Sequence, residues 1–515
     1  MKNNSRTKNS IKNAIYSSST QIISLLSSYI LRFVFVRFLS SEYLGISGLF
    51  TNILTVFSLA ELGIGSAIVY SMYKPIANND IDKINAYMQF YKKAYRIIAL
   101  SVFLIGIIIL PNLNFFIKDS SAVENVEIIY LLYLIDSVFS YLCIYKISIL
   151  NATQKNYIYN IYQSIFKVIS TVFMIVALII TRNFIIYLAI QIFFKIFTNV
   201  IISLKVNKLY PYICEKEKKY LTKKEKKEIS KSVYGLFCNQ IGNVIINGTD
   251  NIIISKYISL VAVGLYSNYT LIISALSNFI GQLFNSIIAS VGNHGVKETT
   301  EKNFELFNRV YFINFLLASF CITELVACLD TFISLSFGKN YLLDNIVVAI
   351  ILINFYLLIM KNVVGTFKYA LGIFWKDKYS TLVRALFNLV ISIVLAKRLG
   401  LIGVFLGTLI SDILTTFWFQ PFILFKSGFN KSISLYFKDF FKYTFVVIIE
   451  IFIIKIINVL VMNIYNLFIK LLIEMLFGVI TYIVVTLLLF RKNKYFIYLI
   501  DLFKNKICGM KEAYK

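Results

Sequence analysis

Apolar runs of about 20 residues or more recur from end to end of the chain, separated by short polar connectors rich in lysine. Each run is long enough to cross a hydrocarbon core of roughly 30 Å. The pattern predicts fourteen spans, over residues 13–38, 42–72, 93–113, 123–150, 158–181, 184–206, 231–256, 261–292, 309–338, 341–374, 379–398, 400–425, 440–461 and 466–490. Strands of a membrane barrel would alternate apolar and polar positions over about 10 residues. These runs do not, so the expected fold class is all-α, a polytopic membrane protein of about 14 transmembrane helices. Residues 80–92, DIDKINAYMQFYK, are shorter and amphipathic, and are expected to form a helix on the membrane surface.

Lysine and arginine in the connectors set the orientation. With the N-terminus inside, about 36 of them fall in inside segments and about 6 in outside segments, so both termini are expected in the cytoplasm. The longest connector, 205–231 (KVNKLYPYICEKEKKYLTKKEKKEISK), is a solvated basic linker that divides the chain. The expected organisation is a first lobe of six spans over 1–206, a basic cytoplasmic linker over 207–230, a second lobe of six spans over 231–426, and two further spans with a basic tail over 427–515. The halves repeat weakly. A gapless shift of 219 positions brings Lys12, Gln21, Ile22, Ser40, Gly45, Thr51, Ile53 and Ser58 onto Lys231, Gln240, Ile241, Ser259, Gly264, Thr270, Ile272 and Ser277. Parallel repeats of this kind belong to transporters with their site between the halves.

Composition changes this picture little. Of the 515 residues 58% are hydrophobic and 15% charged, beyond the range of ordinary soluble domains. The net charge of +26 is explained by lysines on cytoplasmic loops, so no nucleic-acid partner is expected. Cys143, Cys214, Cys238, Cys321, Cys328 and Cys508 are scattered without a C-x-x-C pair, and His294 is the single histidine, so no metal site is expected. The basic N-terminus has no small-residue cleavage site, and no removable signal is expected.

Ionisable residues inside spans are costly and usually face a partner or a wet cavity. The first half holds Arg32, Arg37, Lys146, Lys167 and Lys195 against Glu61 and Asp136. The second holds Asp250, Lys256, Glu324, Asp330, Lys361, Lys368, Arg384 and Asp412, and the last two spans hold Glu450, Lys455, Lys470 and Glu474. Two readings stay open. These charges form structural ion pairs between helices, or they line a net-cationic cavity that concentrates an anionic substrate. On the second reading Arg32, Lys146, Lys167, Lys195, Lys361 and Arg384 bind substrate, Arg32 with the planar donors that suit phosphate. Glu61, Gly63, Gly65, Asp250 and Asp412 then serve gating or ion coupling, the glycines letting span two bend. Their alternative is close helix packing, the reading preferred for Gly403 and Gly407.

The stretches EYLGISGLF (42–50), LAELGIGSAIVYSMYKPIA (59–77) and RLGLIGVFLGTLIS (398–411) resemble the bacterial polysaccharide flippases. These are the O-antigen, capsule and exopolysaccharide (Wzx-type) translocases of the multidrug/oligosaccharidyl-lipid/polysaccharide (MOP) exporter superfamily. The resemblance implies two six-helix lobes in a V, as in the drug-extruding (MATE) members, with two C-terminal helices added. It implies a bacterial cytoplasmic membrane and a substrate of undecaprenyl pyrophosphate carrying an oligosaccharide, moved from the inner to the outer leaflet. A polyprenyl-pyrophosphate-linked oligosaccharide, membrane lipid, a polysaccharide polymerase and glycosyltransferases are the implied partners. Glu61 matches the acid of the family's span-two motif. The chain has no G-x-x-x-x-G-K-[ST] loop, so no ATP site and no cofactor is expected, and H⁺, Na⁺ or the membrane potential would supply direction. The alternatives are a MATE-like drug or metabolite/cation antiporter, which would favour acids in its cavity, and a membrane-embedded polymerase or glycosyltransferase, which would need a larger loop.

Overall fold

The computed structural model describes residues 2–57, 61, 64–118, 123–214, 220–373, 376–377 and 379–501. Among them the regular structure is helical: α1 (Lys2–Phe38), α2 (Ser41–Phe57), α3 (Ile64–Asn78), α4 (Ile81–Ile109), α5 (Val126–Ala152), α6 (Asn156–Thr181), α7 (Phe184–Leu209), α8 (Lys223–Tyr257), α9 (Leu260–Lys297), α10 (Thr300–Ser336), α11 (Asn345–Ala370), α12 (Ser380–Leu399), α13 (Leu401–Leu414), α14 (Thr416–Leu424), α15 (Ser434–Val461) and α16 (Leu467–Phe490). Eleven of the described helical stretches are long and apolar enough to cross a membrane. Helices suit lipid because every backbone group is satisfied within the segment.

The fourteen expected spans correspond to these helices, with three differences of physical origin. Span two is two helices, α2 and α3, with the Glu61 region between them. Span twelve is likewise split, into α13 and α14, at Thr415. Residues 80–92 are not a separate surface helix. They are the first turns of α4, begun by the Asp80 carboxylate accepting from the Lys83 amide at 3.0 Å, and Ile84, Ala86, Tyr87 and Met88 there are buried. With no breaker before the apolar run, continuing the helix leaves fewer backbone groups to cap than ending it. The starts of α8 and α10 also come earlier than the apolar boundary. Thr222 and Glu225 form a capping box that begins α8 inside the lysine-rich linker, and Thr299 caps α10.

The helices form two compact units. One comprises Met1–Ser267 with Thr381–Thr408, the other Asn268–Ser380 with Leu409–Lys515. In the first unit α1 packs along α6, and α5 lies between α4 and α7. Small residues allow close approach, which drives association where lipid is as apolar as any side chain. Tyr130 donates to the Gly106 carbonyl at 3.0 Å, and a side chain at Gly106 would strike Leu134. Gly403 and Gly407 press α13 against Leu395 and Ser392 of α12. In the second unit α10 is central, touching α11, α15 and α16 around an aromatic core that includes Phe307, Tyr311, Phe315 and Tyr443.

Candidate functional site

In the first unit the intramembrane charges lie in several separate places. Glu61 is half-buried and accepts a hydrogen bond from the Tyr95 hydroxyl at 2.5 Å; Tyr91 in turn donates to Tyr95 at 3.3 Å. Tyr91 and Tyr95 are both buried. Gly65 lies against this pair, and a Cβ there would sit 2.8 Å from the Tyr91 hydroxyl. Gly63 lies outside the described residues. Lys146 does not meet Glu61 here; its ammonium donates to Ser203 on α7 at 2.7 Å.

Arg32 of α1 donates to the Ser267 hydroxyl of α9 at 2.6 Å. Tyr133 and Tyr187 are close enough to feel its charge, and Tyr133 shares a 2.6 Å hydrogen bond with Ser47. One turn along α5 from Tyr133, Asp136 accepts from Lys195 of α7 at 2.6 Å. Lys195 remains nearly half exposed (44%).

Lys167, in the middle of α6, stands apart. It is half-buried, and among the described residues none bonds to its ammonium. An uncompensated ammonium at that depth is costly unless water or an anion reaches it. Asp250 of α8 and Arg384 of α12 are electrostatic neighbours in the same unit.

The second unit holds two buried ion pairs among its described residues. Lys361 of α11 forms a buried ion pair with Asp412 of α13, and Thr416 also donates to that carboxylate. Lys368 pairs with Asp377 in the same way. Glu450 of α15, fully buried, accepts from Thr323 at 2.8 Å and from Ser319, both on α10. Lys361 and Asp412 thus contact each other. A cavity of about 660 Å³ in this unit is lined by apolar residues such as Leu352, Phe417 and Val447, with Asp330 and Lys455 also reaching it. Such a lining suits hydrocarbon, not a phosphate. Among the described residues no cluster of His, Cys, Asp or Glu could hold a metal ion.

The tyrosine partners were not identified from sequence, although Tyr91 and Tyr95 carry a signal: they recur at i, i+4 on a helix that follows an acidic break. Ser47, Ser203 and Ser267 carry none, because a serine in an apolar helix is unremarkable until its partner is placed.

The sequence profile of a family described as "Polysaccharide biosynthesis protein" matches residues 10–289. No curated protein matches the chain. Among solved structures it is similar to the lipid II flippase MurJ in an inward closed conformation, with a TM-score of 0.65 at 18% identity, covering 94% of this chain and 99% of that one. It is also similar to an inward-facing multidrug resistance MATE family transporter of the MOP superfamily, with a TM-score of 0.58 at 14% identity, covering 78% and 95%. The Vibrio cholerae MATE transporter VcmN aligns with a TM-score of 0.54 at 13% identity, covering 84% and 99%. The helices described above therefore have the MurJ- and MATE-like arrangement.

Proposed function

Because the chain belongs to the polysaccharide biosynthesis protein family of MOP-superfamily flippases, we propose that it moves an undecaprenyl-pyrophosphate-linked oligosaccharide from the inner to the outer leaflet of a bacterial cytoplasmic membrane, with both termini in the cytoplasm. Alternating access carries the pyrophosphate and sugars through a polar interior while the prenyl chain stays in hydrocarbon. The observation that carries this reading is Lys167: an ammonium in the middle of α6, without a partner among the described residues, in the unit that also holds Arg32, Lys146 and Lys195. A pyrophosphate is the kind of group that such a cation attracts in a low-dielectric site. A cationic drug would be repelled by it, which disfavours the antiporter reading.

In cells that depend on this chain, Lys167→Ala is expected to lower surface polysaccharide and to leave lipid-linked oligosaccharide accumulating on the cytoplasmic leaflet, while Lys167→Arg retains export. Normal surface glycan with Lys167→Ala, at equal protein level, refutes the substrate role of this cation. A drug-efflux defect with unchanged glycan would move the chain to the antiporter class.

A further inference from the structure

The shift of 219 positions that relates the halves in sequence also relates contacts in space. Gly45 abuts the backbone of Leu260, and Gly264 abuts the backbone of Ser41; the shift carries Ser41 to Leu260 and Gly45 to Gly264. A Cβ at Gly264 would also lie 3.3 Å from the Gly45 amide nitrogen. The second pair behaves alike. Arg32 bonds to Ser267, and Gly48 packs on Asn251, where the shift carries Arg32 to Asn251 and Gly48 to Ser267. Contacts in which residue i meets j and the equivalent of j meets the equivalent of i are the signature of a two-fold axis. Such an axis runs between α2 and α9 where their first turns cross.

The two sides of this crossing are not chemically equal. On one side Arg32 makes a charge-assisted hydrogen bond to Ser267, whose hydroxyl also donates to the Gly264 carbonyl at 2.7 Å. On the other, Asn251 faces a glycine that has no side chain to receive it. The seam thus combines a crossing that is close because both glycines lack a Cβ with the Arg32–Ser267 hydrogen bond across it. Helices that meet through backbone contact part at that point without disentangling side chains, and the Arg32–Ser267 bond then helps to hold them together.

We infer that Arg32 and Ser267 form a latch across the Gly45–Gly264 crossing, which must open for substrate to leave, and that Arg32 acts as a positioning residue there rather than as a ligand of the pyrophosphate. The inference rests on the transport reading above and on a cytoplasmic N-terminus, which puts the crossing toward the outer face.

The test uses the full chain with its native cysteines replaced and Asn251→Cys introduced as a reporter in the seam. Labelling by a membrane-impermeant maleimide from outside the cell reads the seam without reference to any substrate. Ser267→Ala and Arg32→Ala are each expected to raise the labelling rate roughly tenfold or more, as loss of one charge-assisted hydrogen bond implies. Gly45→Leu is expected to do the same by holding the helices apart, and Arg32→Gln, which keeps a donor, to label closer to the parent. Equal labelling in the parent, Ser267→Ala and Arg32→Ala overturns the latch. Export lost with Arg32→Ala but normal with Ser267→Ala, at unchanged labelling, would return Arg32 to substrate binding. The Lys167 variants label like the parent if the latch is separate from the substrate site, so failure of one proposal leaves the other readable.

Discussion

The hydroxyl of Tyr95 in α4 points at the carboxylate of Glu61 across 2.5 Å, and Gly65 leaves the space that Tyr91 fills behind it. An acid in the break between two membrane helices is thereby held by a neutral donor. A lysine there would neutralise Glu61; a tyrosine gives it a donor without adding a charge.

Tyr95→Phe is expected to destabilise the first unit by about 1–3 kcal/mol, the cost of leaving a partly buried carboxylate without its donor. Gly65→Val should lower stability further, since its Cβ would displace the Tyr91 hydroxyl. Thermal melting in detergent measures both, and a melting temperature unchanged by Tyr95→Phe would show that the bond contributes nothing.

Lys361 and Asp412 are a buried pair, and removing one partner strands the other. Lys361→Met alone should cost about 3–5 kcal/mol, whereas Lys361→Met with Asp412→Leu should recover most of it. A double-mutant cycle on melting temperatures reads the coupling; additive losses would mean that the two side chains do not depend on each other.

Glu450 is held by Ser319 and Thr323 across the α10–α15 contact. Ser319→Ala with Thr323→Val should cost about 1–3 kcal/mol for the stripped carboxyl. Adding Glu450→Leu should restore much of that loss, because replacing both sides by apolar groups removes the unmet demand. If the triple variant melts below the double, packing rather than hydrogen bonding governs this contact.

Outside the membrane, the amide and hydroxyl of Thr222 bond to Glu225 and hold its carboxyl below the usual carboxylate range. Its contribution to the start of α8 is therefore complete above the unfolded carboxylate value and is lost as pH falls through the lowered folded one. Amide exchange over 225–228, corrected for intrinsic rate, should show protection at pH 7 that weakens in acid. Thr222→Ala removes the hydroxyl but keeps the amide donor, so it should weaken the pH dependence without abolishing it and cost about 1 kcal/mol of helix stability.

How much of this was legible depended on the kind of information each feature needs. The T-x-x-E of Thr222 and Glu225 was present in the linker as a helix start, yet the charge run around it reads as a loop. The weak repeat became informative only when Gly45 and Gly264 were found facing each other's counterparts, because eight identities can arise from composition while reciprocal contacts reflect a shared axis. The packing role expected for Gly403 and Gly407 could be read directly, since two small residues four apart share one helix face.

By itself the sequence determined that this is a multi-pass helical membrane protein, where most of its spans lie, and which family motifs it carries. Hydrocarbon demands a continuous apolar length with an internally satisfied backbone, and both are properties of a single stretch of chain. Which charge meets which was decided only by tertiary structure. Glu61 and Tyr95 are 34 residues apart, Lys361 and Asp412 51, Ser319 and Glu450 131, and Arg32 and Ser267 235. In lipid a helix that is apolar on every side has no solvent to orient it, so its rotation about its own axis, and with it every polar partner, is set by where its neighbours pack.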